Sequence, residues 1–194
     1  MMDSNKGYIT IQPYTKSIEE WMEDMVIPER DRKQIVGADV IVLPVGYRDC
    51  EQAFSSSVYD FMAYARERGL FNIEVCCPGN CFTELELCSV KKRLGKFFLV
   101  STLSGTIFWN VVSDYIYDQI KSILPQITSV ETVESPKFLD APEVSFSIVI
   151  PDSLGNKQEI IYDGPVEGIE KVGEIIKTMT NGNESEPDND DTKK

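Results

Sequence analysis

The chain has 194 residues, of which 42% are hydrophobic and 26% charged, a composition typical of one globular domain of ordinary size. Its formal net charge is -13, from 19 Lys and Arg residues against 32 Asp and Glu residues. Nucleic-acid binding depends on basic side chains that neutralise phosphates, so we expect no nucleic-acid partner. The chain contains no histidine, which excludes Ser-His-Asp and Cys-His catalysis and imidazole metal ligands within it.

Hydropathy along the chain argues against membrane insertion. No stretch of about 18 apolar residues is free of polar interruption, so no membrane-spanning helix is expected. The most apolar segment, residues 97–120, carries Asn110, Asp114 and Asp118, which would be costly inside a bilayer. The N-terminal residues lack the apolar run of a signal peptide. We therefore expect a cytoplasmic protein.

The first predicted elements are a strand and a helix. Residues 7–14 alternate in polarity, which predicts a short strand, and Pro13 indicates either a strand at the edge of a sheet or the end of a strand. Ser17 and Glu20 have the spacing of a capping box, so a helix is predicted to begin there and to end before Pro28. Its buried face is predicted to hold Ile18, Trp21, Met22 and Met25.

A βαβ unit is predicted next. The unbroken apolar run at residues 40–43 indicates a strand that is covered on both faces. After a predicted loop, residues 55–69 form an amphipathic helix that Gly69 closes, and residues 70–77 form a second strand. The apolar stripe of the helix is Val58, Phe61, Met62 and Ala65. Since short connections join these elements, the two strands are predicted to be parallel.

The loop between the first strand and the helix of this unit, residues 47–57, is the candidate ligand-binding site. A loop of this kind lies at the carboxyl end of a parallel strand, where open α/β sheets place their sites, and a helix N-terminus attracts anions. Helix capping is the simpler explanation of the serines, and an ordinary loop position explains the cysteine. The candidate residues are Arg48, Cys50, Ser55, Ser56 and Ser57.

Four of the five cysteines lie between residues 74 and 88. A zinc site needs two chelating pairs, and only Cys77 and Cys81 have a suitable spacing. Disulfides are rare in proteins of reducing compartments, and the neighbouring glutamates oppose thiolate formation. We interpret Cys76, Cys77 and Cys88 as small apolar residues of a sheet, and expect no metal and no cofactor. The turn at residues 78–80 predicts a hairpin between the second strand and a third strand at residues 81–88.

The next segment contains the longest predicted helix, residues 106–124. Residues 90–104 are ambiguous between helix and strand, and the basic run at residues 91–96 is interpreted as a solvated turn or helix end. On the long helix the polar row of Asn110, Asp114 and Asp118 is interpreted as a solvated face rather than a cation site. The remainder is apolar, so the helix is predicted to lie across a sheet or against a partner.

The domain organisation follows from these elements. Residues 1–127 are predicted to form an α/β body, residues 128–143 a connection, and residues 144–180 a β-hairpin plus helix that packs on the body. Residues 181–194 have no large apolar side chain, so we expect a disordered acidic tail. The predicted fold class is α+β or α/β, with a mixed sheet that contains a βαβ unit and hairpins, packed by helices.

Residues 145–179 resemble the small effector-associated domains of predicted bacterial conflict systems. The resemblance rests on a long preceding helix, a hairpin with a glycine-containing turn, the sequence YDGP at residues 162–165 and a final amphipathic helix. It implies an adaptor that couples a protein partner to an effector. We expect a non-catalytic protein–protein interaction or adaptor module, with a homo-oligomer left open. The alternative is a small-molecule or anion sensor, or a small enzyme, that uses the loop 47–57.

Overall fold

The computed structural model describes residues 7–47, 50–78, 83–85, 91–128, 142–152 and 154–181. None of the helices in these ranges has the length and apolar character needed to span a bilayer. The strands are β1 (Tyr8–Pro13), β2 (Val40–Leu43), β3 (Val45–Tyr47), β4 (Cys50–Ser55), β5 (Ile73–Val75), β6 (Thr83–Leu85), β7 (Lys92–Leu99), β8 (Glu143–Pro151) and β9 (Lys157–Pro165). The helices are α1 (Ile18–Asp24), α2 (Glu29–Val36), α3 (Ser56–Arg68), α4 (Thr102–Thr128) and α5 (Ile169–Asn181), with a 3-10 turn at Val166–Gly168.

Six strands form a mixed sheet in the order β1-β9-β8-β7-β2-β5. The pairs β2–β5 and β7–β8 are parallel, and the other pairs are antiparallel. A smaller sheet contains β3, β4 and β6, with β6 parallel to β4. The predicted α+β class, the mixed sheet and the C-terminal hairpin plus helix are confirmed.

The predicted βαβ unit is also confirmed. Val40 and Val42 face one core and Ile41 and Leu43 face a second core on the opposite side of the sheet, which explains why the run in β2 does not alternate. The four residues predicted as the apolar stripe of α3 are buried: Val58, Phe61, Met62 and Ala65. Gly69 ends α3 with φ 62°, a left-handed conformation that glycine adopts without steric cost.

Helices cover the two faces of the sheet unequally. Side chains of α3, α4 and α5 form the larger core with one face, and the aromatic rings of Phe61, Phe97, Phe108 and Tyr115 meet there edge to face or tilted. The smaller core lies under α1 and α2, and its buried strand residues belong to β2, β7 and β8. Cys76, after β5, and Tyr14, after β1, also pack into it. The long helix α4 therefore lies across the sheet, and its described apolar side chains are mostly buried.

The capping box predicted at the start of α1 is present. Glu20 N–H donates to Ser17 Oγ at 3.1 Å, and Ser17 N–H donates to Glu20 Oε2 at 2.6 Å, which completes the capping box of α1. Helix α2 was not predicted, because its two apolar residues, Ile35 and Val36, are adjacent at its end and give no helical periodicity.

Three predictions about the middle of the chain are wrong. β6 pairs with β4 in the smaller sheet and not in a hairpin with β5, and residues 50–55 of the predicted loop form β4. The chain leaves the main sheet after β2 at Pro44, which has no N–H for a sheet ladder. The basic run lies in and beside strand β7 and not at a turn or helix end, and Lys91 and Lys96 there form ion pairs with acids of β8 and β9.

Two predicted segments lie outside the described residues. These are most of the connection, residues 129–141, and nearly all of the acidic tail, residues 182–194. The predicted division into a body, a connection, a packed hairpin plus helix and a tail stays a prediction. Within the described residues, β8 lies beside β7, and β9 lies between β8 and β1 in the main sheet.

Candidate functional site

The candidate loop site is only partly described by the structure. Arg48 lies outside the described residues, and so does the side chain of Cys50, whose backbone begins β4. Ser55 precedes α3 and is buried, and its hydroxyl donates to the backbone carbonyl of Arg93 in β7. Because that hydroxyl forms no capping bond with α3, the capping explanation is wrong for Ser55. Ser56 and Ser57 are half-buried in the first turn of α3. A ligand site here stays a prediction.

The cysteine cluster is described at Cys76 and Cys77. Cys76 follows β5 and is fully buried in the smaller core, and Cys77 is half-buried beside it. Burial raises the pKa of the Cys76 thiol to about 12, which leaves it unreactive near neutral pH. The interpretation as a core residue is confirmed for Cys76, while Cys88 lies outside the described residues. Across the described part of the chain, no group of three or more Cys, Asp or Glu side chains is placed to hold a metal ion.

The polar row on α4 lies on an exposed helix face, as interpreted. The positive charge that faces this polar row comes from a side chain of the protein, Arg68. Arg68 of α3 lies 3.6 Å from a carboxylate oxygen of Asp114 and 3.9 Å from one of Asp118. Tyr64 Oη donates to Asp118 at 3.0 Å. These exposed groups hold α3 and α4 together weakly.

A buried carboxylate lies on the face of the sheet that α1 and α2 leave partly uncovered. Glu159 of β9 is 5% exposed. Its Oε1 accepts from Lys96 Nζ at 2.7 Å and from Ser147 Oγ at 2.5 Å, and its Oε2 accepts from Gln12 Nε2 at 2.8 Å. These side chains belong to the adjacent strands β7, β8, β9 and β1. We call them the Glu159 cluster, and they tie the outer strand β1 to the centre of the sheet.

The electrostatics of the Glu159 cluster suit a structural role. Burial disfavours the charged form of Glu159, but hydrogen bonds from Lys96, Ser147 and Gln12 outweigh it and hold its pKa below the usual value. The carboxylate is therefore ionised at neutral pH, and both of its oxygens already accept hydrogen bonds. This arrangement fixes strand position and gives little scope for general acid–base chemistry.

The C-terminal end of β1 is held by aromatic contacts. Trp21 Nε1 of α1 donates to the hydroxyl of Tyr14, the residue after β1, at 2.6 Å. Lys16 Nζ lies 3.6 Å from the centroid of the Trp21 ring, and Lys96 Nζ lies 5.3 Å from that of Tyr14. Strand β1 is thus fixed both along its length and at its end.

The outer edge of β1 is open within the described residues. β1 is the last strand of the sheet, every residue of it except Ile9 is exposed, and none is charged. Tyr14 N–H donates to the carbonyl of Lys157 at 2.9 Å, so by the alternation of an antiparallel ladder Thr10 and Gln12 also bond to β9. The N–H and C=O groups of Ile9 and Ile11 consequently point away from the sheet.

Pro13 falls at the next outward-pointing position of β1. Its missing N–H therefore costs no hydrogen bond to β9, as the edge position of proline requires. In the sequence, Pro13 indicated either an edge strand or a strand end, and it did not indicate a site at this edge. Natural edge strands commonly carry charges that prevent pairing with another strand. An uncharged strand in a chain of net charge -13 is therefore the sequence feature that could have indicated a binding edge.

The opposite edge of the sheet is different. β5 has only three residues, and Arg66 Nη2 donates to the outer-strand carbonyl of Ile73 at 3.1 Å. The same guanidinium lies 3.6 Å from Glu74 Oε2. A short strand beside charged side chains is a poor template for pairing, so β1 is the better candidate.

Comparison of the chain with protein-family models, with curated proteins and with solved structures gives no match.

Proposed function

We propose that this protein is a non-catalytic protein–protein interaction module that binds an extended segment of a partner along the outer edge of β1. The observation that supports the proposal is the outward direction of the Ile9 and Ile11 backbone groups on an exposed, uncharged strand. Extended peptides bind such edges by adding a strand, with main-chain hydrogen bonds for affinity and alternate side chains for specificity.

Preorganisation of β1 supports the same proposal. Gln12 anchors the strand to Glu159, and Tyr14 anchors its end to Trp21. A template that is already held in its binding conformation loses little conformational entropy when a partner binds. The described apolar side chains of α4 and α5 are mostly buried, so the described parts of these helices offer less apolar surface to a partner than β1 does. An adaptor role in a bacterial conflict system, implied by the resemblance of residues 145–179, belongs to this proposal.

The experiment compares two variants of the edge with a random-peptide display library as the probe. Ile11→Pro removes an outward N–H but no bond to β9, so the fold should be kept and the binding of selected peptides should fall about tenfold or more. Leu154→Lys is the matched control, because Leu154 is an exposed apolar residue, 84% exposed, at the turn between β8 and β9. Peptides that bind Ile11→Pro and the unmodified chain equally would contradict the proposal.

A further inference from the structure

The outward-pointing part of β1 is symmetrical in sequence. Ile9, Thr10 and Ile11 form a palindrome centred on Thr10. When two copies of such a segment pair antiparallel about a two-fold axis through Thr10, an isoleucine faces an isoleucine on each side of the axis.

Hydrogen-bond directions and side-chain pairing together favour one register for such a pair. With the axis through Thr10, Ile9 of one copy lies opposite Ile11 of the other, and each pair exchanges two backbone hydrogen bonds. An axis through Ile11 would place Ile9 opposite Pro13, which has no N–H to donate. An axis through Ile9 would place Ile11 opposite Gly7, which has no side chain to pack against it. The register centred on Thr10 thus uses every outward donor of Ile9 and Ile11.

Side chains and charge are compatible with this register. Residues directly opposite each other share a face of the sheet, so Thr10 meets its own copy and Tyr8 meets Gln12. Ile11, which is 45% exposed in the single chain, packs against Ile9 of the other copy. No like charges lie opposite each other, although each chain has a net charge of -13, because β1 is uncharged.

We infer that the segment that occupies the outer edge of β1 is β1 of a second copy of this chain, antiparallel and centred on Thr10. This inference rests on the proposed function and names the partner at the same edge. The result is a continuous sheet of both copies. Because a pairing of six-residue strands buries little surface, the dimer is weak and depends on protein concentration.

The test is a symmetric disulfide at the axis. Opposed residues in a non-hydrogen-bonded antiparallel pair have Cα atoms about 4.5 Å apart, which lies within the range that a disulfide spans. Thr10→Cys chains should therefore cross-link to each other under mild oxidation, with the bond mapped by proteolysis and mass spectrometry. Tyr8→Cys chains should not cross-link alone, but should do so when mixed with Gln12→Cys chains, because those two positions are opposite each other.

Sedimentation velocity supplies the independent readout. The unmodified chain should shift toward the dimer as its concentration rises, and Ile11→Pro should weaken association about tenfold or more because each dimer loses two hydrogen bonds. Ile11→Lys, which keeps the backbone N–H, is the second edge variant in case the proline variant does not fold.

Two outcomes overturn the inference. A monomeric chain that binds library peptides through Ile9 and Ile11 would overturn it and leave the proposed function standing. Cross-linking of Thr10→Cys no faster than that of Tyr8→Cys, with peptide binding unaffected by Ile11→Pro, would overturn both.

Discussion

Gln12 Nε2 donates to Glu159 Oε2 at 2.8 Å and so connects the outermost strand of the sheet to a carboxylate that is almost fully buried. The same carboxylate is paired with Lys96, which comes from two strands further in. A shift of β1 by one residue would turn Gln12 to the other face and break its bond to Glu159. The Glu159 cluster therefore specifies the register of the strand whose outer edge we propose as the binding site.

Replacing Glu159 should make stability depend less on pH. Glu159→Gln leaves Lys96 without its counter-charge on a mostly buried face, so the free energy of unfolding at pH 7 should fall by about 3 kcal/mol. The folded-state pKa of Glu159 is lowered, so its contribution is complete above the unfolded value near 4.5 and is lost as pH falls through the folded-state pKa. Urea unfolding should show a difference between the two proteins that narrows below pH 4.5.

The control for this prediction is Glu174→Gln, at an exposed position on α5. It should change the free energy of unfolding by less than about 0.5 kcal/mol, both at pH 7 and below pH 4.5. A difference between Glu159→Gln and the unmodified chain that stays constant from pH 7 to pH 3 would show that folding does not lower the pKa of Glu159.

Two buried tyrosines should respond oppositely to loss of the hydroxyl. Within the described part of the chain, the hydroxyl of Tyr115 is buried without a hydrogen-bond partner, and burial raises its pKa to about 12. Tyr115→Phe removes an unsatisfied polar group, so stability should stay the same or rise by up to about 1 kcal/mol. Tyr162→Phe removes the bond to the Pro165 carbonyl and should cost about 1 to 3 kcal/mol. Thermal unfolding measures the change in stability of each variant, and equal losses of stability in the two variants would contradict this account.

The turn between α1 and α2 contains a strained valine. Val26 has φ 53°, and its N–H and that of Ile27 bond back to the carbonyls of Glu23 and Met22, both at 2.9 Å. Glycine is the usual residue at such a helix end, because a Cβ is unfavourable in the left-handed region. Val26 is 79% exposed, so Val26→Gly loses little packing and should raise stability by about 1 kcal/mol.

Val36→Gly is the matched control for the turn. Val36 is also an exposed valine but ends α2 in ordinary helical conformation, so glycine there should lower stability by about 1 kcal/mol. Differential scanning calorimetry should therefore shift the two midpoints in opposite directions, by about 2 to 4 °C each. A lower midpoint for Val26→Gly would mean that the valine makes contacts that offset its strain.

Local signals in the sequence predicted much of the fold. The capping box at Ser17 and Glu20, the unbroken run in β2 and the left-handed Gly69 each depend on neighbours within a few residues, so the sequence indicates them directly. Pro13 indicated an edge strand or a strand end, and it is the last residue of the edge strand β1.

Choices between distant partners were not predictable in the same way. The alternation at residues 83–85 predicts a strand but not its neighbour, and β4 forms that pair although the β5 strand is nearer in sequence. The members of the Glu159 cluster lie far apart in sequence, and only the registers of β7, β8, β9 and β1 bring them together. Of the predicted loop site, Arg48 and the side chain of Cys50 lie outside the described residues, and Ser55 proved to bond to β7.

The crossing of α4 and α5 depends on the absence of a side chain at Gly173. A Cβ there would lie 3.0 Å from Trp109 Cδ1 and closer still to Trp109 Nε1. Trp109 is 6% exposed and packs against Phe146 of β8, so it has little room to move. Gly173→Ala should therefore cost about 1 to 3 kcal/mol, although alanine is the better helix former by about 1 kcal/mol.

Three companion variants separate overlap from other causes of that loss. Glu174→Ala changes the exposed neighbour on the same helix and should stay within about 0.5 kcal/mol of the unmodified chain. Trp109→Phe lowers stability itself but creates space at the helix crossing. In that background, Gly173→Ala should lower the free energy of unfolding by less than it does in the unmodified chain. Urea unfolding of the unmodified chain, the Gly173→Ala and Trp109→Phe variants and the double variant measures this coupling. Additive losses would show that Gly173 is not required by its contact with Trp109, and that the two helices are positioned by other contacts.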